Sequence, residues 1–110
     1  MSHHDEKLSS MLLHLAADFI SKEAGRSTLI TPLRVSLGKE AKTAVIYVGV
    51  FPDKDTDHAL TYLNRVKDEF RAYIKAQSRI SRLPYISFEL DHGDRNRQHL
   101  DELSSQIDKE

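Results

Sequence analysis

The run Thr43-Ala-Val-Ile-Tyr-Val-Gly-Val-Phe51 is almost continuously apolar and rich in β-branched residues. Such a run marks a strand covered on both faces or lying mid-sheet, so it sets the centre around which everything else must pack. Before it, Leu29-Ile-Thr-Pro-Leu-Arg-Val-Ser-Leu37 has period two, with Leu29, Leu33, Val35 and Leu37 expected inward and Arg34 and Ser36 outward. Pro32 has no N–H to give a ladder, which predicts an edge strand or a bulge there. Gly38 to Lys42 reads as the hairpin connection. After Pro84, Tyr85-Ile-Ser-Phe-Glu-Leu90 alternates again, with Ile86, Phe88 and Leu90 inward.

Helical periodicity fills the intervals. Leu8, Met11, Leu12, Leu15, Ala16, Phe19 and Ile20 form one apolar stripe, predicting a helix from about Ser9 to Ala24. Ser9 or Ser10 would cap it, and Gly25 would end it at C′. A single long helix is expected from about Asp57 to Ser78 or beyond, because Leu83-Pro84 ends helical possibility only there. A last helix is expected from Arg95 to about Ile107. The hairpin is antiparallel, and the long helix is a crossover that brings the third strand parallel to the second. The expected architecture is α+β, order α-β-β-α-β-α, with a three-stranded mixed sheet and helices packed on one face. Residues 8–107 form this single domain, with 1–7 and 108–110 as flexible ends.

Composition removes several function classes. A chain of 110 residues is one domain, and without cysteine it has neither disulfides nor thiolate chemistry. No apolar run is long enough for a membrane span and the N-terminus is unlike a signal peptide, so a cytoplasmic protein with no membrane partner is expected. His92 and His99, with Asp91 and Asp94 nearby, lack the short paired spacing of a zinc site. No Gly-rich phosphate loop or Gly-x-Ser-x-Gly motif occurs, so neither an enzyme nor a cofactor is expected.

One surface remains. Stepping at about 100° per residue, Lys67, Arg71, Lys75, Arg79 and Arg82 fall within roughly 120° of one another, opposite Leu63, Val66, Phe70, Tyr73, Ile74 and Gln77. With Arg65, six Lys/Arg between Asn64 and Arg82 meet only Asp68 and Glu69, in a chain of formal charge −1. This is the charge pattern of a nucleic-acid contact surface, and equally that of a solvated helix whose acids pair with Arg65 and Arg71. Arg34, Lys39 and Lys42 would widen it. The tyrosines Tyr47, Tyr62, Tyr73 and Tyr85 are read as core or rim residues rather than base-stacking platforms.

Three stretches together resemble the ribosome-binding factor A family. Val35-Ser36 with Ala44-Val-Ile-Tyr-Val-Gly-Val50 is similar to its hairpin, and Leu60-Thr-Tyr-Leu-Asn-Arg-Val-Lys-Asp-Glu-Phe-Arg71 to the start of its central helices. Pro84-Tyr-Ile-Ser-Phe-Glu-Leu-Asp91, with Leu100-Asp-Glu-Leu103 after it, is similar to its third strand and the segment beyond that strand. The resemblance implies a type II K-homology-like fold and a non-catalytic assembly factor. Its partners would be the small ribosomal subunit and its ribosomal RNA during late maturation, bound as a monomer. It favours RNA contact at Arg65, Lys67, Arg71, Lys75, Arg79 and Arg82. One departure bears on mechanism: the family's Ala-x-Gly kink is replaced by Arg65-Val-Lys-Asp-Glu-Phe70, so the central helix is expected to run unbroken. The alternative function is a protein-interaction module, docking a partner along the edge strand Leu29–Leu37 or the N-terminal helix.

Overall fold

The computed structural model describes residues 3–23 and 28–93. Their order is α1 (His3–Glu23), β1 (Leu29–Leu37), β2 (Thr43–Phe51), α2 (Thr56–Arg65), α3 (Lys67–Gln77) and β3 (Tyr85–Leu90), with single 3₁₀ turns at Lys39–Ala41 and Asp53–Asp55. Gly25 and the expected last helix from Arg95 to Ile107 lie outside the described residues.

The sheet follows from the alternation. Strand order is β1-β2-β3, with β1 antiparallel and β3 parallel to β2. On β2, Ala44, Ile46, Val48 and Val50 are buried, and the register sets Ala44, Ile46 and Val48 beside Ile86, Phe88 and Leu90 of β3. These residues form the face on which all three helices pack. Val45 and Tyr47, on the other face, are only half-buried, so β2 is central without being covered on both sides.

Strand β1 departs from the expected inward set. Its register shifts between Pro32 and Arg34, where Leu33 is bulged out of the ladder. A bulge moves every later side chain to the opposite phase. Ile30 is therefore buried before it, whereas Val35 and Leu37 pack inward after it. Leu29 and Leu33, expected inward, are 64% and 38% exposed.

Helix α1 begins at His3, earlier than its apolar stripe, with Asp5 and Glu6 in the first turn where the helix dipole favours anions. Ser9 and Ser10 are thus interior positions, not caps. The stripe itself is core: Leu8, Leu12, Leu15, Ala16, Phe19 and Ile20 are all buried. That removes the N-terminal helix as the docking face of a protein-interaction module. Phe70 of α3 joins three elements, its ring centroid 5.2 Å from Phe19 and 5.7 Å from Phe88.

The central helix is broken despite lacking glycine. Val66 takes φ −98°, ψ 8°, in the bridge region between helix and extended backbone. Its N–H still reaches the Tyr62 carbonyl at 3.0 Å and its carbonyl still accepts from Phe70 N–H at 3.0 Å, so the break leaves both of its backbone groups paired. Valine is a poor helix former, and this one is buried. α2 packs over β3 while α3 crosses to α1, so two partners demand two helix directions. Burying Val66 at the junction satisfies both.

Candidate nucleic-acid interface

The break and the helix end reorganise the cationic residues. Lys67, Arg71 and Lys75 stay in line on α3, one turn apart, along the flank of the buried stripe of Phe70 and Ile74. Arg65 ends α2, on the far side of Val66, with its guanidinium carbon 5.7 Å from the Tyr62 ring centroid. The helix stops at Gln77, where Ser78 turns extended (φ −142°, ψ 171°) and its hydroxyl donates to the Ile74 carbonyl at 2.7 Å. Arg79 and Arg82 therefore leave the ridge and lie in the connection to β3, where they line a pocket with the start of α1. The helical wheel predicts one continuous ridge of five cations; three remain on the helix and two turn away.

The three on α3 differ in freedom. Arg71 Nη1 donates to the Pro84 carbonyl at 2.6 Å, which anchors it to the entrance of β3. Lys67 Nζ donates to the Tyr85 hydroxyl at 3.1 Å and sits 5.1 Å from that ring's centroid. Lys75 is exposed and, among the described residues, engaged in no hydrogen bond or ion pair. Neither Asp68 nor Glu69 forms an ion pair with Arg65 or Arg71 there, so the acids do not neutralise the ridge by contact.

Tyr85 is the residue that periodicity alone passes over. It is 60% exposed, and its side chain reaches round the sheet edge to Lys67. An exposed aromatic face beside a lysine and a fixed arginine joins base stacking to phosphate neutralisation. A signal for it exists in the sequence: Tyr85 opens β3 in the outward phase, directly after a proline.

Of the residues expected to widen the surface, Arg34 lies apart from the ridge. It is on the sheet face away from the helices, its guanidinium carbon 3.8 Å from the Tyr47 ring centroid and its Nε 3.1 Å from Asp91 Oδ2. Lys42 Nζ is 3.4 Å from Glu40 Oε2. Among the described residues no group of three or more His, Asp or Glu is placed to hold a metal ion, and no helix is long and apolar enough to cross a membrane.

Comparison with known proteins shows the family and the fold. Residues 4–104 match the family model described as ribosome-binding factor A. The ribosome-binding factor A of Pseudothermotoga lettingae is 31% identical over 83 residues, covering 74% of this chain and 70% of the relative. The crystal structure of ribosome-binding factor A from Thermus thermophilus superposes with a TM-score of 0.68 at 26% identity, covering 77% of this chain and 93% of that one. The solution structure of a Thermotoga maritima protein described as a putative ribosome binding factor A gives 0.66 at 25% identity, covering 76% and 83%. A third match is a Thermus thermophilus ribosome binding factor A homology model fitted into the map of a complex with the 30S particle. It gives 0.64 at 25% identity, covering 82% and 93%. The fold is type II K-homology-like.

Proposed function

This chain belongs to the ribosome-binding factor A family, and on that premise we propose that it is a non-catalytic assembly factor for the small ribosomal subunit. It binds the subunit and its ribosomal RNA during late maturation, in the cytoplasm and as a monomer. The observation that carries this reading is the α3 ridge, Lys67, Arg71 and Lys75 in line with exposed Tyr85 beside them. Lysine neutralises phosphates as a point charge, while arginine adds forked hydrogen bonds. Arg65, Arg79 and Arg82 extend the contact to either side of the ridge. Binding favours one RNA conformation through a difference in affinity between two, which requires no reaction.

The test is co-sedimentation with small subunits and their precursors at graded salt. Neutralising about four phosphates predicts roughly a hundredfold weaker binding at 200 mM than at 50 mM salt. Absence from both particles at low salt would sink the proposal.

A further inference from the structure

Arg79 and Arg82, displaced from the ridge, border an open pocket of about 670 Å³ between the first turns of α1, the hairpin tip and the α3–β3 connection. That volume lies within the roughly 300–1,000 Å³ of small-ligand sites. Its lining divides by chemistry. Leu8, Met11, Ala41 and Ile80 supply an apolar floor, and Lys7 joins the two arginines as a cationic wall. Asp5 and Glu40 are the carboxylates at the site, and Glu40 already faces Lys42 at 3.4 Å. Among the described residues, Arg79 and Arg82 make no hydrogen bond or ion pair.

The hairpin tip carries an independent sign. Glu40 and Ala41 are consecutive non-glycine residues with positive φ, 57° and 54°. Each sits in the left-handed region at about 1–2 kcal/mol over ordinary backbone. Such strain persists where surrounding structure fixes it, and it gathers at ligand sites. Here the hydrogen bonds Gly38 N–H to Thr43 carbonyl (2.9 Å), Ala41 N–H to Gly38 carbonyl (3.0 Å) and Lys42 N–H to Lys39 carbonyl (3.2 Å) hold it. The strained segment is the wall that places Ala41 and Glu40 at the pocket.

We propose that this pocket receives one unstacked nucleotide of the bound RNA, its base on the Leu8–Met11–Ile80 floor and its phosphate at Lys7, Arg79 and Arg82. The inference rests on the ribosomal reading for the source of the RNA and adds how that RNA is held. An apolar surface for a flat base and a cationic edge for the phosphate match a nucleotide in both halves. The carboxylates of Asp5 and Glu40 accept hydrogen bonds from exocyclic amino groups of a base. Three cations, Lys7, Arg79 and Arg82, against two carboxylates leave the balance positive. Because Arg79 follows α3 directly, a strand lying on the ridge reaches the pocket without leaving cationic surface. RNA is read in this way where its bases are unpaired and splayed out.

The experiment is a nuclear magnetic resonance titration of the ¹⁵N-labelled full chain with adenosine or guanosine 5′-monophosphate, and in parallel with inorganic phosphate. The nucleotides are expected to move the amides of Leu8 and Ala41 together with those from Arg79 to Arg82, and phosphate only the latter. Ile80→Trp, which fills the floor, should abolish the nucleotide shifts and weaken binding of a single-stranded RNA oligonucleotide about tenfold, the order of one base contact. Arg79→Glu with Arg82→Glu gives a second variant at solvent-exposed positions, and should do the same. Identical shifts with phosphate and nucleotide would overturn the assignment in favour of a plain anion site. A wild-type chain that shows no nucleotide shifts, while both variants lose subunit binding, would overturn it in favour of a ribosomal protein segment. The two readings fail separately. A wild-type chain that ignores small subunits yet shows the nucleotide shifts leaves the pocket standing and removes the ribosome.

Discussion

Arg71 should behave unlike the other ridge cations, because it holds the fold as well as facing the ridge. The first ladder bond of β3 runs from Tyr85 N–H to the Lys42 carbonyl at 2.9 Å. Across a planar trans peptide the preceding carbonyl points the opposite way, so the Pro84 carbonyl faces the outer edge of the sheet. Arg71 Nη1 meets it there at 2.6 Å. A hydrogen bond to a charged donor contributes about 1.5–3 kcal/mol, and water at an open edge replaces part of it, so the low end applies. Arg71→Met keeps most of the apolar stem and removes the donor. It should cost about 1.5 kcal/mol and lower the melting temperature by roughly 6–12 °C for a domain of this size. Lys75→Glu, at an exposed position without such a partner, should stay within about 0.5 kcal/mol of wild type. Its effect belongs to binding, where losing one phosphate contact flattens the log affinity against log salt slope by about 0.7–0.9. Circular-dichroism melts and graded-salt co-sedimentation of the two variants read both quantities. If Arg71→Met melts with the wild type, the carbonyl contact is not structural and the argument fails. Charge reversal meant to test RNA contact alone therefore belongs at Lys75 and Arg79, leaving Arg71 intact.

Phe70→Ala removes the ring shared by α1, α3 and β3 and should cost about 3–5 kcal/mol in a denaturant titration, enough to unfold much of the population. Ala41→Gly relieves a positive φ and should raise stability by about 0.5–1 kcal/mol in the same titration, despite the larger unfolded-state entropy of glycine. A Cβ on Gly38 would meet Thr43 Oγ1. Gly38→Ala should thus destabilise by about 1 kcal/mol, and a double-mutant cycle with Thr43→Ala should recover most of that loss. Tyr85→Phe should retain single-stranded RNA affinity in fluorescence anisotropy, whereas Tyr85→Ala should lose about five- to tenfold, the contribution of one stacked base.

The sheet is legible in the sequence because period two and a β-branched run each state a strand's place directly. Pro32 announces an irregular edge, and the bulge comes where its missing donor predicts. What no alternation reveals is the phase after a bulge, so simple alternation assigns Leu29 and Leu33 to the core while both lie exposed. The helix break is hidden for a related reason. Pattern reasoning looks for glycine or proline, whereas Val66 bends under tertiary demand, each of its backbone groups still bonded. At Ser78 local chemistry decides. Its hydroxyl takes the Ile74 carbonyl, and Ser81 lies in a segment without helical periodicity, but the 100° wheel carries Arg79 and Arg82 past that point. The wheel holds for Lys67, Arg71 and Lys75, which share one helix, and it loses meaning once the helix ends.

The break at Val66 also separates two ways of meeting RNA. A kink between helices can offer the next helix's free N–H groups to a phosphate, since that end carries partial positive charge. In this chain Asp68 and Glu69 occupy the first turn of α3. Their carboxylates take the place that the dipole would give an anion, and they repel a phosphate arriving there. Asn64 and Arg65, on the other side of the break, provide side chains rather than the close backbone approach that glycine allows. The bend therefore serves direction: it turns α3 so that Phe70 reaches Phe19 and Phe88 while Lys67 reaches Tyr85. Contact then falls to side chains along α3 and to the pocket beyond its end. The break in the central helix is thus distinct from the residues that meet RNA on the proposed reading.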